Sequence, residues 1–255
     1  MISHSVSDDG FGELVLDRKS HRNAISVEMW GELTEALEAL AGSLAMRVLV
    51  LRSSVEGVFC PGADIGEFPQ LMESADLRRE LQHSMQTCCN RLESLQIPTI
   101  ALIDGPCIGG GCSLAVACDF RIASDRSTFG VTPGKLGLVY GLGDTRRLAR
   151  TVGVPHAKKL LFTGELVDAV RALEIGLIDT VCDAPSLAHK GFDLGQSLIG
   201  ISLETVAAAK EILMRIESGQ SEDDHATQAR FRDSFVSDEA MRRIASFLNA
   251  RRDRK

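Results

Sequence analysis

The chain has 255 residues, of which 44% are hydrophobic and 25% are charged, and its formal net charge is -7. This is an ordinary globular profile, long enough for one large α/β domain with a helical appendage. The negative net charge argues against the broad basic surface that nucleic-acid binding needs. No membrane span or signal peptide is predicted. The odd number of cysteines, without a CxxC pair, predicts reduced thiols in a cytoplasmic protein.

The first part of the chain predicts a hairpin followed by an amphipathic helix. Two alternating runs, Ile2–Val6 and Phe11–Leu16, flank an Asp-Gly turn. A charged loop, residues 17–22, comes next. Ser26 is the expected N-cap of a helix with one apolar face, and Gly42 is its expected end.

Two apolar strands, each followed by a turn that contains glycine, come next. Arg47–Leu51 is followed by a glycine-containing turn, Cys60–Ile65, within which Pro61–Ile65 is a candidate short helix. Ala75–Leu95 has the apolar spacing of a long helix. Pro98–Ile103 is the second strand, and Gly109–Gly111 opens a helix of small residues. The alternation of strands and helices predicts parallel pairing, which places both turns at one edge of the sheet.

The following region alternates short strands, loops and helices. Asp119–Ala123 is predicted as a strand, whereas Phe129–Gly143 contains too much glycine for regular structure. Asp144–Val152 and Pro155–Phe162 are predicted as two helices, and Asp144 or Thr145 is the expected cap of the first. Leu166–Glu174 is predicted as a further helix, and a last short strand follows it.

Beyond Pro185 the pattern is helical only. Apolar residues recur every three or four positions, in four predicted helices: Leu187–Leu198, Leu203–Ser218, Glu222–Phe235 and Asp238–Arg251. The composition changes near Gly195–Ser202, where glycine-rich α/β sequence gives way to charged helices. We therefore expect a core over residues 1–198 and a helical region over residues 199–255.

The two turns after the strands suggest a common chemical task. The first N–H groups of a helix lack internal partners, and glycine permits close backbone approach. Two backbone N–H groups that converge on one oxygen form an oxyanion hole. Such a hole suits chemistry at a thioester, where an enolate must be stabilised. The alternative is that the glycines only permit tight packing of helix and strand.

The order of these motifs resembles the crotonase superfamily, the enoyl-CoA hydratase/isomerase family. The matching segments cover nearly the whole chain: Arg22–Ile25, Phe59–Ile65, Ile103–Asp119, Phe129–Leu148, and the C-terminal Phe231, Phe235, Asp238 and Phe247. The resemblance implies an α/β, crotonase-like spiral of ββα turns with a C-terminal helical subdomain. It implies that this subdomain packs a homotrimer or a dimer of trimers. It also implies an acyl-CoA thioester of fatty acid metabolism as substrate, with no metal and no cofactor besides the coenzyme A of the substrate.

The resemblance also assigns binding positions. By position, the oxyanion donors are the N–H groups of Ala63 and Gly110. The expected coenzyme A contacts are Arg18, Lys19 and His21 for the phosphates, and Ala63, Asp64 and Ile65 for the adenine and ribose. The alternative for the three cationic residues is a solvated loop.

The chain departs from the family at the two glutamates that a hydratase uses around a water molecule. Ser113 stands at the first position and Pro133 at the second. Serine alone is a poor base and proline has no side-chain acid, so simple hydration is in doubt.

The segment around Tyr140 resembles the methylmalonyl-CoA decarboxylase branch of the superfamily, in which a tyrosine lies in the active site. That branch has a histidine where this chain has Ala63, which weakens the resemblance. The alternative is that Tyr140 packs on a rim loop with its hydroxyl in water. We expect Asp144 to cap a helix, with a catalytic carboxylate as the alternative, and Glu67 to be a loop or helix-dipole carboxylate.

Three functions therefore compete at this stage. The first is a lyase or isomerase that acts on an acyl-CoA through an enolate. The second is a protein that binds acyl-CoA without turnover. The third, nucleic-acid binding, is disfavoured by the acidic charge.

Overall fold

The computed structural model describes residues 1–252. It divides into two compact units, Met1–Gly200 and a second that begins at Ile201. The first unit contains nine strands: β1 (Ile2–Val6), β2 (Phe11–Leu16), β3 (Val48–Ser53), β4 (Thr99–Ile103), β5 (Pro106–Ile108), β6 (Phe120–Ser124), β7 (Thr128–Gly130), β8 (Leu166–Asp168) and β9 (Thr180–Cys182). Its helices are α1 (Val27–Ala41), α2 (Phe68–Glu73), α3 (Ala75–Ser94), α4 (Gly110–Ala117), α5 (Leu142–Thr163), α6 (Ala169–Glu174) and α7 (Leu187–Ile199).

Six strands form one sheet in the order β1-β2-β3-β4-β6-β9. β1 and β2 pair antiparallel, as the hairpin prediction required, and the remaining pairs are parallel. All five residues of β4 are buried, as expected for a strand in a sheet covered on both faces. α1 and α3 pack against each other, and the apolar side chains of α7 cover Val48, Ile100 and neighbouring residues of the sheet. The parallel pairing predicted from the alternation of elements is confirmed.

The boundaries of α1 are also confirmed. The Ser26 hydroxyl accepts a hydrogen bond from the Met29 N–H at 3.2 Å, which caps the first turn. Gly42 follows the last helical residue. α1 buries seven side chains, among them Trp30, the only tryptophan of the sequence.

The segment around Leu166 was wrongly predicted as helical from its start. Residues Leu166–Asp168 form β8, which pairs antiparallel with β7, and α6 begins only at Ala169. Gly130 makes this pairing possible, because a Cβ at that position would lie 2.5 Å from Leu166 Cδ2. The long-range strand pairing overrides the local helical spacing. β7 itself lies in a loop that was expected to be irregular.

The predicted cap of α5 is also wrong. α5 begins at Leu142 with Gly141 as N-cap, so Asp144 is the third helical residue and does not cap the helix. The prediction of two helices here is correct, because Gly153 has φ 73° and ψ 156° and breaks the run before Pro155. The short helix expected within Cys60–Ile65 lies later, as a 3₁₀ turn at Ile65–Glu67 followed by α2.

The second unit contains three helices among the described residues: α8 (Leu203–Glu217), α9 (His225–Ser234) and α10 (Asp238–Arg252). Asp224 and Thr227 form a capping box at the start of α9. Phe231 and Phe235 stack edge to face with ring centroids 5.4 Å apart, and both are exposed. The last three residues assigned to the predicted helical region, 253–255, lie outside the described residues. None of the helices described between residues 1 and 252 has the length and apolar character of a membrane span.

Candidate functional site

The two glycine-containing turns meet at the end of neighbouring strands β3 and β4. The Cys60 N–H donates to Pro106 O at 2.8 Å, and the Ile108 N–H donates to Cys60 O at 2.9 Å. Gly111 is required for this approach, because a Cβ there would lie 2.5 Å from Cys60 O. The two turns predicted to share one sheet edge therefore lie side by side.

Ala63 is held by a parallel bridge to Ile25. The Ile25 N–H donates to Gly62 O at 2.8 Å, and the Asp64 N–H donates to Ile25 O at 2.9 Å. In this bridge the N–H of Ala63 points away from Ile25. Gly62 has φ 108°, a conformation that favours glycine. Ala63 itself is exposed.

Gly110 supplies the second expected donor. It is the first residue of α4, where helical N–H groups have no internal partner. The N–H of Gly110 would lie 3.8 Å from a Cβ built on Gly62, so the two turns place their backbones close together. A Cβ on Gly110 would approach Trp30 Cζ2 at 3.1 Å, which means that the indole packs directly beneath this turn. The backbone of Gly110 therefore lies close to that of Gly62, the residue before Ala63.

The buried side chain of Asn23 anchors the charged loop beside the first turn. Its Nδ2 donates to Ser53 Oγ at 2.7 Å and to Phe59 O at 3.1 Å. Its Oδ1 accepts from the Arg18 N–H at 2.8 Å. Asn23 has φ 59°, a left-handed conformation that asparagine tolerates better than most residues. The resemblance included this residue, but its role as an anchor follows only from the folded contacts.

The two segments expected to contact coenzyme A lie next to each other. Arg18 Nη1 donates to Asp64 Oδ2 at 2.7 Å and to Ala24 O at 2.8 Å. Burial raises the pKa of Asp64, but the hydrogen bond and the charge of Arg18 outweigh it and hold that pKa below its usual value. Lys19 and His21 are exposed beside Arg18. Ile65 is also exposed, at 67%.

Glu67 has the structural role that was expected for it. Its Oε2 accepts a hydrogen bond from the Val27 N–H at 2.8 Å. Val27 is the first residue of α1, so the carboxylate lies where a helix dipole favours negative charge. Glu67 therefore connects the first turn to α1.

A pair of hydroxyl groups lies one turn beyond Gly110. Ser113 is fully buried, and its Oγ lies 2.8 Å from Tyr140 Oη. Burial raises the pKa of Tyr140 well above its usual value, and the nearby carboxylate of Asp144 adds to this. The alternative of a rim-loop tyrosine with its hydroxyl in water is wrong. Pro133 begins a short helix, Pro133–Leu136, and brings no acid to the site.

Asp144 lies behind this pair and is only 2% exposed. Arg147 Nη1 is 3.4 Å from Asp144 Oδ1. Burial raises the pKa of Asp144, although the charge of Arg147 and a hydrogen bond from Ser113 lower it in part. A buried carboxylate therefore lies next to the Ser113–Tyr140 pair, and a catalytic role for it stays a prediction.

Arg147 belongs to a charge cluster that sequence reasoning missed. Its Nε donates to Glu93 Oε2 at 3.0 Å, and its Nη2 donates to the amide oxygen of Asn90. Arg146 and Arg150 also bind Glu93, at 2.8 and 2.7 Å. Burial raises the pKa of Glu93, but the three guanidinium groups outweigh it and hold the pKa below its usual value. The spacing of the arginines on α5 is visible in the sequence, but their partner on α3 is not.

The thiols carry no sign of activation. Burial raises the pKa of Cys60 and of Cys88 to about 12, so both remain protonated near neutral pH. Within residues 1–252, no cluster of three or more His, Cys, Asp or Glu side chains is arranged to hold a metal ion. The prediction of reduced cysteines agrees with the free thiols described.

Comparison with known proteins gives one consistent family. The family model for enoyl-CoA hydratase/isomerase matches residues 7–253. A protein of Arabidopsis thaliana named "Probable enoyl-CoA hydratase 2, mitochondrial" is 38% identical over 194 residues, which are 76% of this chain and 64% of that protein. The match thus spans less than two thirds of that relative.

Two further matches cover a larger share of the compared proteins. The mouse protein "Enoyl-CoA hydratase domain-containing protein 2, mitochondrial" is 34% identical over 223 residues, covering 84% of this chain and 75% of that protein. A crystal structure assigned to the enoyl-CoA hydratase/isomerase family, from Hyphomonas neptunium, superposes with a TM-score of 0.93 at 32% identity. It covers 98% of this chain and 95% of the other. The predicted α/β fold with a helical C-terminal region is confirmed.

Proposed function

Because the chain belongs to the enoyl-CoA hydratase/isomerase family, we propose that it processes an acyl-CoA thioester through an enolate. The enolate oxygen is held by the N–H groups of Ala63 and Gly110. The close approach of the two turns supports this assignment. Such a donor typically contributes about 3 kcal/mol to the stabilisation of an oxyanion.

The reaction class that the site supports best is a lyase reaction of an acyl-CoA with a carboxylate on Cα. The bond between Cα and the carboxylate breaks, CO₂ leaves, and the bonding electron pair passes into the enolate. Cα then takes a proton from the Tyr140 hydroxyl, which regains one from solvent. No strong base is needed, which suits a chain with Ser113 and Pro133 at the two glutamate positions.

The single observation that carries this proposal is the 2.8 Å contact between Ser113 Oγ and Tyr140 Oη. Ser113 lies three residues after Gly110 on α4, which is about 4.5 Å along the helix axis, since each helical residue rises about 1.5 Å. This contact supports the Tyr140 hydroxyl as a proton donor beside the expected position of the acyl group. Ala63, where the decarboxylase branch has histidine, is the departure from that branch.

Parallel assays with crotonyl-CoA and methylmalonyl-CoA test the reaction class. We expect decarboxylation of methylmalonyl-CoA and little hydration of crotonyl-CoA. Tyr140→Phe removes only the hydroxyl and should lower turnover by about 10²-fold or more. Turnover that is unchanged in Tyr140→Phe would refute the role of the tyrosine.

A second candidate function is acyl-CoA binding without turnover. The absence of an acid at positions 113 and 133, beside an intact pair of turns, favours it. Trp30 lies beneath Gly110 and is the only tryptophan, so its fluorescence reports ligand at this turn. Tight binding with no turnover on a broad panel of acyl-CoA thioesters would favour this candidate over the first.

Two expectations about the whole protein accompany the proposal. We expect a homotrimer or a dimer of trimers that packs through the C-terminal helices. The exposed Phe231, Phe235 and Phe247 on α9 and α10 support a role in assembly. We also expect the protein to act in the cytoplasm.

A further inference from the structure

A buried hydroxyl and a buried carboxylate lie behind the phenol of Tyr140. Ser113 Oγ lies 2.8 Å from Tyr140 Oη, and either oxygen can be the donor. The ionised carboxylate of Asp144 accepts a hydrogen bond from Ser113. Ser113 is 0% and Asp144 is 2% exposed, whereas Tyr140 is half-buried. The three groups form a chain of polar side chains, Asp144–Ser113–Tyr140, that runs from the interior to the site.

The hydrogen bonds that link Asp144, Ser113 and Tyr140 can run in either direction, because each hydroxyl carries one proton. An ionised Asp144 can only accept, so Ser113 donates to it and in turn accepts from Tyr140. A protonated Asp144 donates to Ser113, which then donates to Tyr140 and leaves the tyrosine O–H free for a ligand. The other acceptor near Ser113, Gly109 O, is 3.4 Å away and competes weakly.

Among the titratable groups near Ser113 and Tyr140, Asp144 is the one that we expect to change its protonation state. Arg147, at 3.4 Å from Oδ1, has donors only, and its own position is fixed by Glu93. The titratable groups that face this region from α3, α4, α5 and the loop before α5 are Cys89, Glu93, Cys112, Arg147 and Tyr140. The pKa values of Cys89 and Tyr140 are raised well above their usual values, and that of Glu93 is lowered. Burial raises the pKa of Asp144 above its usual value.

We propose that Asp144 is a positioning residue that determines, through Ser113, whether Tyr140 presents a hydrogen-bond donor or an acceptor to the acyl group. The proposal rests on the proposed function only for the identity of that acyl group. An acyl group that carries a carboxylate beside Tyr140 favours the donor direction. Its binding is then accompanied by uptake of one proton from solvent by the Asp144 carboxylate.

The sequence contains one tyrosine, which makes the direction of the chain measurable without substrate. The Raman Fermi doublet of tyrosine distinguishes a phenol that donates a hydrogen bond from one that accepts. In the wild-type protein we expect the doublet to change from acceptor type at low pH to donor type at high pH. Asp144→Asn should abolish this change, because an amide does not titrate and Arg147 holds its oxygen, which leaves the NH₂ as a donor.

Asp168→Asn is the matched control. Asp168 caps α6 by accepting from the Arg171 N–H, a role that asparagine also fills. This variant should retain the wild-type pH dependence of the doublet. Ser113→Ala interrupts the chain in a different way and should also make the doublet independent of pH, which keeps the test valid if Asp144→Asn does not fold.

A wild-type doublet that does not change between the acid and alkaline limits of the folded protein would overturn the proposal. So would a change that persists with the same midpoint in Asp144→Asn or Ser113→Ala. Neither outcome depends on turnover. Failure of the proposed function alone would appear as an absence of turnover with the pH-dependent doublet intact.

Discussion

At the scale of single residues, the phenol of Tyr140 is the most informative group. Its pKa is raised first by burial and then by the negative charge of Asp144, and the hydrogen bond with Ser113 lowers it in part. Removal of the charge of Asp144 therefore favours ionisation of the phenol. We expect the alkaline ultraviolet titration of Asp144→Asn to show a lower tyrosine pKa than that of the wild type. An unchanged or raised tyrosine pKa would contradict the electrostatic effect of Asp144 on the phenol.

The N–H of Ala63 can be tested directly. Ala63→Pro removes this donor, whereas Ala63→Gly retains it and serves as the matched control. We expect Ala63→Pro to lower kcat by about 10²–10³-fold, the usual cost of one oxyanion donor. The Trp30 fluorescence titration verifies that the variant still binds acyl-CoA. A loss of the same size in Ala63→Gly would mean that the effect comes from the fold of the turn.

Residue types and spacing were enough to predict that the two turns lie side by side, as the structure shows. The family resemblance selected Ser113, Pro133 and Tyr140, and the hydroxyls of Ser113 and Tyr140 do meet, but their part in a site stays a prediction. The structural role of Glu67 was also foreseen, since its carboxylate contacts the start of α1. The partnership of Arg147 with Glu93 was not, because the two residues are separated by 54 positions and meet only when α3 and α5 pack. The burial of Asp144 likewise depends on that packing.

At the scale of elements, the charge cluster between α3 and α5 gives a testable prediction for stability. Glu93 is 7% exposed and binds Arg146, Arg147 and Arg150. Glu93→Gln removes the closer of the two anionic partners of the buried Arg147 and leaves only Asp144, at 3.4 Å. We expect a loss of about 3–5 kcal/mol in the free energy of unfolding, measured by urea denaturation. Glu174→Gln, in an exposed pair with Arg171, is the control and should change stability by less than about 1 kcal/mol.

The same cluster predicts how stability depends on pH. The pKa of Glu93 is lower in the folded protein than in the unfolded chain, so the carboxylate stabilises the fold above the unfolded value of about 4.3. This contribution is lost as the pH falls through the folded pKa. The effect of Asp144 on stability has the opposite dependence on pH. Its pKa is raised in the folded protein, so the protonated carboxyl stabilises the fold at low pH and this contribution is lost as the pH rises. Glu93→Gln should therefore weaken the acid-induced fall in stability seen in urea titrations at several pH values.

Element boundaries were predicted well where local signals agree, as at Ser26 and Gly42 of α1. They were wrong where a distant strand decides the outcome. β8 has three residues and is a strand because it pairs with β7, and no local pattern reveals that pairing. α5 begins earlier than expected because Gly141 is its N-cap, without a side-chain cap.

At the scale of the whole molecule, the exposed apolar residues of the second unit bear on assembly. Phe231, Phe247 and Leu248 are 69%, 65% and 51% exposed. Contiguous exposed apolar surface often marks a protein interface. We expect sedimentation of the wild type as a trimer or hexamer, and a shift toward monomer in a Phe231→Asp, Phe247→Asp variant. Sedimentation of the wild type as a monomer would contradict the expected assembly.

In the proposed mechanism, an acyl-CoA enolate forms beside Ala63 and Gly110 and is protonated by Tyr140. Proton NMR of methylmalonyl-CoA turnover in D₂O tests it most directly, because a protonated enolate acquires deuterium at Cα. The wild type should release propionyl-CoA with one deuterium at Cα, and Tyr140→Phe should form this product at least about 10²-fold more slowly. Tight binding with no deuterium incorporation, or equal rates in wild type and Tyr140→Phe, would contradict the account.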